Sequence, residues 1–140
     1  YSTFFTVCKH KNAWYDKGRT DFSDTGENIM ELKLTLRLLT NEERIFGPGV
    51  AELLERVREH HSLRSAAASM EMAYSKAWRI VRAAEEGMGC KLLSSSTGGR
   101  HGGGASLTPE AERLLTAYRT LETEVNTYSQ ERFHALFDSL

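Results

Sequence analysis

A chain of 140 residues has room for one hydrophobic core plus an added arm or helix, and its 40% hydrophobic and 26% charged residues are ordinary for a globular domain. No apolar run approaches the ~18 residues of a membrane-spanning helix, and the first residues lack the basic start and apolar core of a secretory leader. Cys8 and Cys90 have no metal-ligand spacing, so a reduced, cytoplasmic chain is the expectation.

The net charge of -1 is unevenly spread. Residues 60–104 hold six Lys or Arg against three Glu, whereas residues 105–140 hold three Arg against six acids. That is the distribution of a chain with one face turned toward phosphate.

In chain order, Tyr1 to Ile29 mixes aromatics, lysines and Asp/Gly without a sustained period. It reads as a poorly ordered arm, residues 1–29, with at most a short strand around Phe4 to Cys8. Met30 offers a native start, in which case the arm is non-native. From Glu31 to Leu38 the chain alternates, with Leu32, Leu34, Leu36 and Leu38 apolar, which predicts a half-buried strand. Thr40 to Glu43 is a turn, and Arg44 to Phe46 a second strand closing a hairpin. Gly47-Pro48-Gly49 breaks the chain and puts proline at a helix start. Val50, Leu53, Leu54 and Val57 then recur at helical spacing, predicting a first helix from Pro48 to His60.

Ser62 is placed to cap a second helix, with Ala66, Ala67 and Met70 on its inner face. Glu71-Met72 makes a tight turn, with Met72 as a buried plug. A third helix follows from Tyr74 to Glu86, ended by Gly87-Met88-Gly89. Ala77, Val81 and Ala84 form its inward stripe. Ser75, Lys76, Arg79 and Arg82 fall largely outside that stripe, and Trp78, on one flank with Tyr74, is assigned to the edge of the core. Cys90 to Leu93 is a short strand, Ser94 to Gly104 a glycine-rich loop, and Ala105 to Leu107 the returning strand. Thr108 caps a last helix, with Pro109 at its first position and Glu110 and Glu112 in its first turn. Leu114, Leu115, Tyr118, Leu121 and Val125 give its stripe. Some 30 residues is long for so small a domain, and such a helix often packs against a second copy of itself.

A short alanine-rich helix, a tight turn and a helix with a basic outer face are the parts of a helix-turn-helix, and the glycine loop has the composition of a wing. The expected fold is mainly α with a small β wing. It is a winged helix-turn-helix over residues 30–107, with an N-terminal strand or hairpin, followed at residues 108–140 by a long C-terminal dimerisation helix. Candidate DNA contacts are Arg64, Tyr74, Ser75, Lys76, Arg79 and Arg82 from the helices, and Thr97, Arg100 and His101 from the wing. Arginine can grip a guanine edge with two hydrogen bonds, whereas the smaller polar groups hold phosphate or single base atoms. The bland alternative is a solvated basic helix face. The glycine loop lacks the Gly-Lys-Ser/Thr ending of a phosphate-binding loop. No nucleophile elbow is present, and His60-His61 have no carboxylate or cysteine nearby to complete a ligand set. No enzyme, metal or cofactor is expected.

Three stretches carry a resemblance to a known family: Ser62-Leu63-Arg64-Ser65-Ala66-Ala67-Ala68, Met72-Ala73-Tyr74-Ser75-Lys76-Ala77-Trp78, and the wing Thr97-Gly98-Gly99-Arg100-His101-Gly102-Gly103-Gly104-Ala105-Ser106-Leu107-Thr108. From Gly49 to about Tyr118 the chain resembles the N-terminal domain of the ModE-type molybdenum-responsive transcriptional regulators, relatives of the LysR-type winged helix. It departs from the family pattern after Leu107-Thr108, where Pro109 and Ala111 stand in place of a glycine. The resemblance implies a sequence-specific transcriptional regulator that binds a pseudo-palindromic double-stranded operator as a homodimer, linked to molybdate transport or molybdenum metabolism. Full-length regulators of the family carry molybdate-binding domains further on, so no molybdate site is expected within these residues. The competing reading is a winged helix used for protein association without specific DNA binding.

Overall fold

The computed structural model describes residues 5–7, 14–16, 30–96 and 104–140. By internal contacts the chain forms two units, Thr35–Glu122 and Tyr1–Leu34 with Thr123–Leu140.

The unit Thr35–Glu122 begins with a hairpin, β3 (Leu38–Thr40) against β4 (Glu43–Phe46), after the pair β1 (Phe5–Val7) and β2 (Trp14–Asp16) of the other unit. The hairpin loop is two residues long, and both Asn41 (φ 50°) and Glu42 (φ 68°) are left-handed. That backbone twist matches the strands it joins. Helix α1 (Pro48–His60) starts at Pro48 and buries Ala51, Leu53, Leu54 and Val57. The boundaries expected from the sequence hold.

Ser62 caps α2 (Leu63–Ser69), its hydroxyl accepting the Ser65 amide at 3.2 Å. Glu71 turns the chain with φ 53°, and α3 (Tyr74–Met88) follows. The stripe Ala77, Val81 and Ala84 is buried. The wing is β5 (Leu93–Ser96) paired antiparallel with β6 (Gly104–Leu107), in the register Leu93↔Leu107 to Ser96↔Gly104. The Ala105 amide reaches the carbonyl of His61 at 2.9 Å, which docks the wing on the junction between α1 and α2.

Two clusters form the core. One gathers Phe46, Ala51, Leu54, Ala84, Leu92, Ala111, Leu115 and Tyr118. The other gathers Leu53, Val57, Leu63, Ala66, Ala67, Ala77 and Val81, where four of seven positions are alanine or valine on α2 and α3 and the helices approach closely. Helix α4 (Pro109–Phe137) is capped by Thr108, whose hydroxyl accepts the Ala111 amide and donates to the Lys91 carbonyl at 2.7 Å. In its first half Tyr118 packs edge-on against Phe46 and donates from Oη to the Leu36 carbonyl at 3.0 Å.

In the unit Tyr1–Leu34 with Thr123–Leu140, Gln130 Nε2 donates to the Leu32 carbonyl at 3.1 Å. Buried Phe133 stacks on Phe137, with ring centroids 5.1 Å apart. The expectation of a poorly ordered or non-native arm lies outside the described residues, apart from the paired strands β1 and β2.

Four sequence expectations are corrected. Residues 31–37 form no ladder, although Leu32 and Leu36 are half-buried between exposed neighbours. The tight turn fixes the pairing, and β4 gives way to Gly47-Pro48 after Phe46, so residues 31–37 find no continuation of β4 to pair with. Helix α3 runs through Gly87 and ends at Gly89, which is left-handed at φ 70°. A Cβ at Gly87 would overlap the Ile45 side chain, so this glycine serves close packing of α3 on β4 and not termination. The first wing strand starts at Leu93, because Leu92 turns into the core. Trp78 is 46% exposed and lies outside the core, since the indole is one position off the small-residue stripe that brings α2 and α3 together.

Candidate nucleic-acid interface

Helix α3 owes its orientation to its composition. Its buried side is Ala77, Val81, Ala84 and Glu85, with half-buried Ile80 packed against the same cluster, and the other large residues of its first two turns face out. Tyr74, Ser75, Lys76, Trp78 and Arg79 are exposed, and Arg82 is half-buried. Among the described residues no hydrogen bond or ion pair engages the side chain of Lys76 or Arg79. Their charges are free to meet an external anion.

The other two arginines are engaged. The Arg64 guanidinium, from α2, lies 4.4 Å from the centre of the Tyr74 ring. The Arg82 guanidinium lies 5.0 Å from the centre of the Trp78 ring and also donates to Glu85 Oε2 at 3.2 Å. Both pairs line a cleft of about 650 Å³ between the start of α2, the outer flank of α3 and the wing strands, with Lys91 at its wing side. Cation–aromatic pairs of this kind restrict both side chains while leaving one ring face open.

Glu85 is the residue on which this arrangement turns. Only 7% exposed, it accepts the amides of Leu92 at 3.0 Å and Leu93 at 3.4 Å through Oε1, and Lys91 Nζ at 3.3 Å through Oε2. Burial pushes its carboxyl up, but the Leu92 and Leu93 amides and the Lys91 ammonium outweigh that, and the carboxyl sits below its ordinary range. The end of α3 is thereby tied to the first residues of the wing.

The sequence-predicted residues Arg64, Tyr74 and Arg82 thus meet around one cleft, while Ser75, Lys76 and Arg79 stand on the adjoining face of the same helix. Thr97, Arg100 and His101 lie outside the described residues; the strand ends Ser96 and Gly104 that lead to them are paired. Sequence reasoning missed Trp78, Glu85 and Lys91. A signal for Glu85 was present, since it stands four residues after Val81 and eight after Ala77, on the buried stripe. Among the described residues no group of His, Cys, Asp and Glu is arranged to hold a metal ion.

A trihelical core, a tight turn before an outward-facing third helix and a two-stranded hairpin docked beside it define a winged helix-turn-helix. Residues 50–112 match the family described as "Bacterial regulatory helix-turn-helix protein, lysR family", in keeping with the winged helix-turn-helix of that stretch. Over a longer stretch the chain is similar to ModE proteins. It is 33% identical over 108 residues to "Transcriptional regulator ModE" of Haemophilus influenzae, covering 77% of this chain and 40% of that protein. It is 34% identical over 100 residues to "Molybdenum transport protein ModE" of Herbaspirillum seropedicae, covering 71% of this chain and 34% of that protein. Against "Molybdenum-pterin-binding protein MopB" of Rhodobacter capsulatus it is 34% identical over 73 residues, or 52% of this chain and 27% of that protein. The chain therefore spans at most 40% of the length of these curated relatives.

Proposed function

We propose that this chain is a DNA-binding transcriptional regulator linked to molybdenum transport, acting in the cytoplasm as a homodimer. The observation that carries the reading is the outer face of α3, where Lys76 and Arg79 stand exposed and unengaged beside Ser75 and Tyr74. A helix of this kind fits the major groove, with its first turns against base edges. Arg79 is the reader of a guanine edge, Lys76 and Arg64 hold phosphate, and Ser75 and Tyr74 add contacts at the helix start. Arg82 adds a contact from the cleft wall. Thr97, Arg100 and His101 on the wing reach flanking phosphate or the minor groove. The names of the relatives, a transcriptional regulator and a molybdenum transport protein, support the regulatory role.

The dimer assignment is supported by the second half of α4, which exposes Tyr128 and, near its end, Leu136 and Phe137. Two heads related by a two-fold axis read half-sites about one helical turn of DNA, or a multiple, apart.

The test is a fluorescence-anisotropy titration of the full chain against duplex DNA at two salt concentrations, with and without molybdate, beside sedimentation of the free protein. The expected result is tight binding that prefers some sequences, falls steeply with salt and is indifferent to molybdate. Absence of binding at low salt, from a folded dimer, would replace this reading with protein association.

A further inference from the structure

We infer that Trp78 reads sequence, by placing its indole against the C5-methyl group of thymine in the major groove, and that Arg82 is its positioning residue. The inference rests on the proposal that α3 enters the major groove of DNA.

The outer surface of α3 carries two parallel rows. Ser75 and Arg79, four residues apart, form a polar row; Tyr74 and Trp78, also four apart, form an aromatic row beside it. A polar row satisfies hydrogen-bonding base edges. The ring faces of the aromatic row, unlike the Tyr74 hydroxyl and the indole N–H at their edges, are apolar, and the apolar feature of the major groove is the thymine methyl. Trp78 is 46% exposed although it is the largest side chain of the helix, and it belongs to neither core cluster. A tryptophan held at a surface in this way is typical of residues that gain their burial from a partner.

The indole is also fixed in advance. One ring face is covered by the Arg82 guanidinium at 5.0 Å, and Arg82 is itself held by buried Glu85 at 3.2 Å. Glu85 in turn is pinned by the Leu92 amide at 3.0 Å. This chain of contacts, from the wing root through Glu85 and Arg82 to Trp78, removes side-chain freedom before DNA arrives, so less is lost on binding. It also commits part of the Arg82 donor fork. Arg82 therefore differs from Arg79, whose fork is open for a bidentate grip on guanine.

The shared chemistry is a pyrimidine 5-methyl group, found in thymine and in 5-methylcytosine, and the inference commits to thymine. The experiment uses duplexes selected from a random pool by the full chain. Each thymine is replaced in turn by uracil, which removes the methyl alone, and in separate duplexes each cytosine by 5-methylcytosine. For the wild-type chain, uracil at the contacted position in each half-site is expected to weaken binding about fourfold, the worth of one buried methyl. Trp78→Ala, at an exposed position and checked by thermal melting, is expected to flatten that uracil profile while keeping non-specific affinity. Arg82→Gln is expected to reduce the contrast without abolishing it. Specific wild-type binding with a flat uracil profile, or a profile unchanged in Trp78→Ala, would overturn the role of Trp78 and leave the DNA-binding proposal standing. A gain from 5-methylcytosine with no loss from uracil would also overturn it. No specific binding by the wild-type chain would remove both.

Discussion

The Oε1 atom of Glu85 accepts the Leu92 amide at 3.0 Å, joining the last turns of α3 to the residue that leads into the wing. Leu92 is fully buried, so its amide has no water to fall back on. Truncating the carboxylate leaves that donor orphaned and frees Lys91 and Arg82 at the same time. We expect Glu85→Ala to lower stability by about 2–4 kcal/mol, the cost of a buried unsatisfied amide plus lost charge-assisted bonds. Glu85→Gln, which keeps one acceptor oxygen, should lose less. Urea unfolding of the three proteins checks the order, and equal stability of Glu85→Ala and the wild type would refute the joint.

A second carboxylate gives the pH dependence. Arg119 of α4 donates to both oxygens of Glu55 on α1, at 2.8 and 2.7 Å, and to Glu122 at 2.7 Å. The hydrogen bond from Arg119 is the main reason that Glu55 sits below the ordinary carboxylate value of 4.5; burial opposes it. A carboxyl depressed in the folded state contributes its full stability above the unfolded value and loses it as pH falls through the folded one. Glu85 is depressed as well and adds to the same window. Stability should therefore be flat near neutrality and fall on acidification below the ordinary carboxylate range. In Glu55→Gln the neutral-pH stability should drop by about 1 kcal/mol and the acid slope should become shallower. Urea melts across that pH range would test both.

Gly87 offers a prediction of opposite sign to helix propensity. Placing alanine inside a helix in place of glycine ordinarily stabilises by about 1 kcal/mol. Here the added Cβ would run into the Ile45 side chain of β4. Gly87→Ala should instead destabilise by about 1–3 kcal/mol, and Ile45→Ala in the same chain should recover part of that loss. Thermal melting of the single and double variants reads the coupling directly.

These positions also explain what the sequence made legible. The helices announce themselves, because Pro48, Ser62 and Thr108 are start signals and Leu53, Leu54 and Val57 repeat at helical spacing. The wing strands and their turn-back follow from the glycines around Arg100. The misplaced elements share one cause, which is that a pattern within a segment says nothing about what lies opposite it. Leu32 to Leu38 alternates as a strand should, but Pro48 ends the partner strand too early for residues 32–37 to pair with it. Trp78 counts as apolar in any periodicity, yet the alanines beside it in α2 and α3 bring the helices too close to admit an indole. Glu85 reads as a solvent-facing acid by type and as a core residue by position, and the position was the better guide. Gly87 looked like a stop signal, when its role depends on Ile45, more than forty residues away.

The binding face yields the last prediction, which separates reading from gripping. Arg79 is exposed with its side chain unengaged in the middle of α3, where a bidentate grip on guanine is geometrically open, whereas Arg100 falls in the sequence between the paired strand ends Ser96 and Gly104. Under the proposed function, Arg79→Ala should weaken binding to a selected duplex by about ten- to a hundredfold and change non-specific binding much less, because a lost base contact costs about 1–3 kcal/mol only where that base is present. Arg100→Ala should weaken both by a similar factor and lower the slope of log affinity against log salt by about one for each phosphate contact removed. Anisotropy titrations on selected and scrambled duplexes at several salt concentrations distinguish the two. If Arg79→Ala lost the same factor on every sequence, together with a reduced salt slope, Arg79 would be a phosphate contact, and base recognition would fall to the remaining residues of α3.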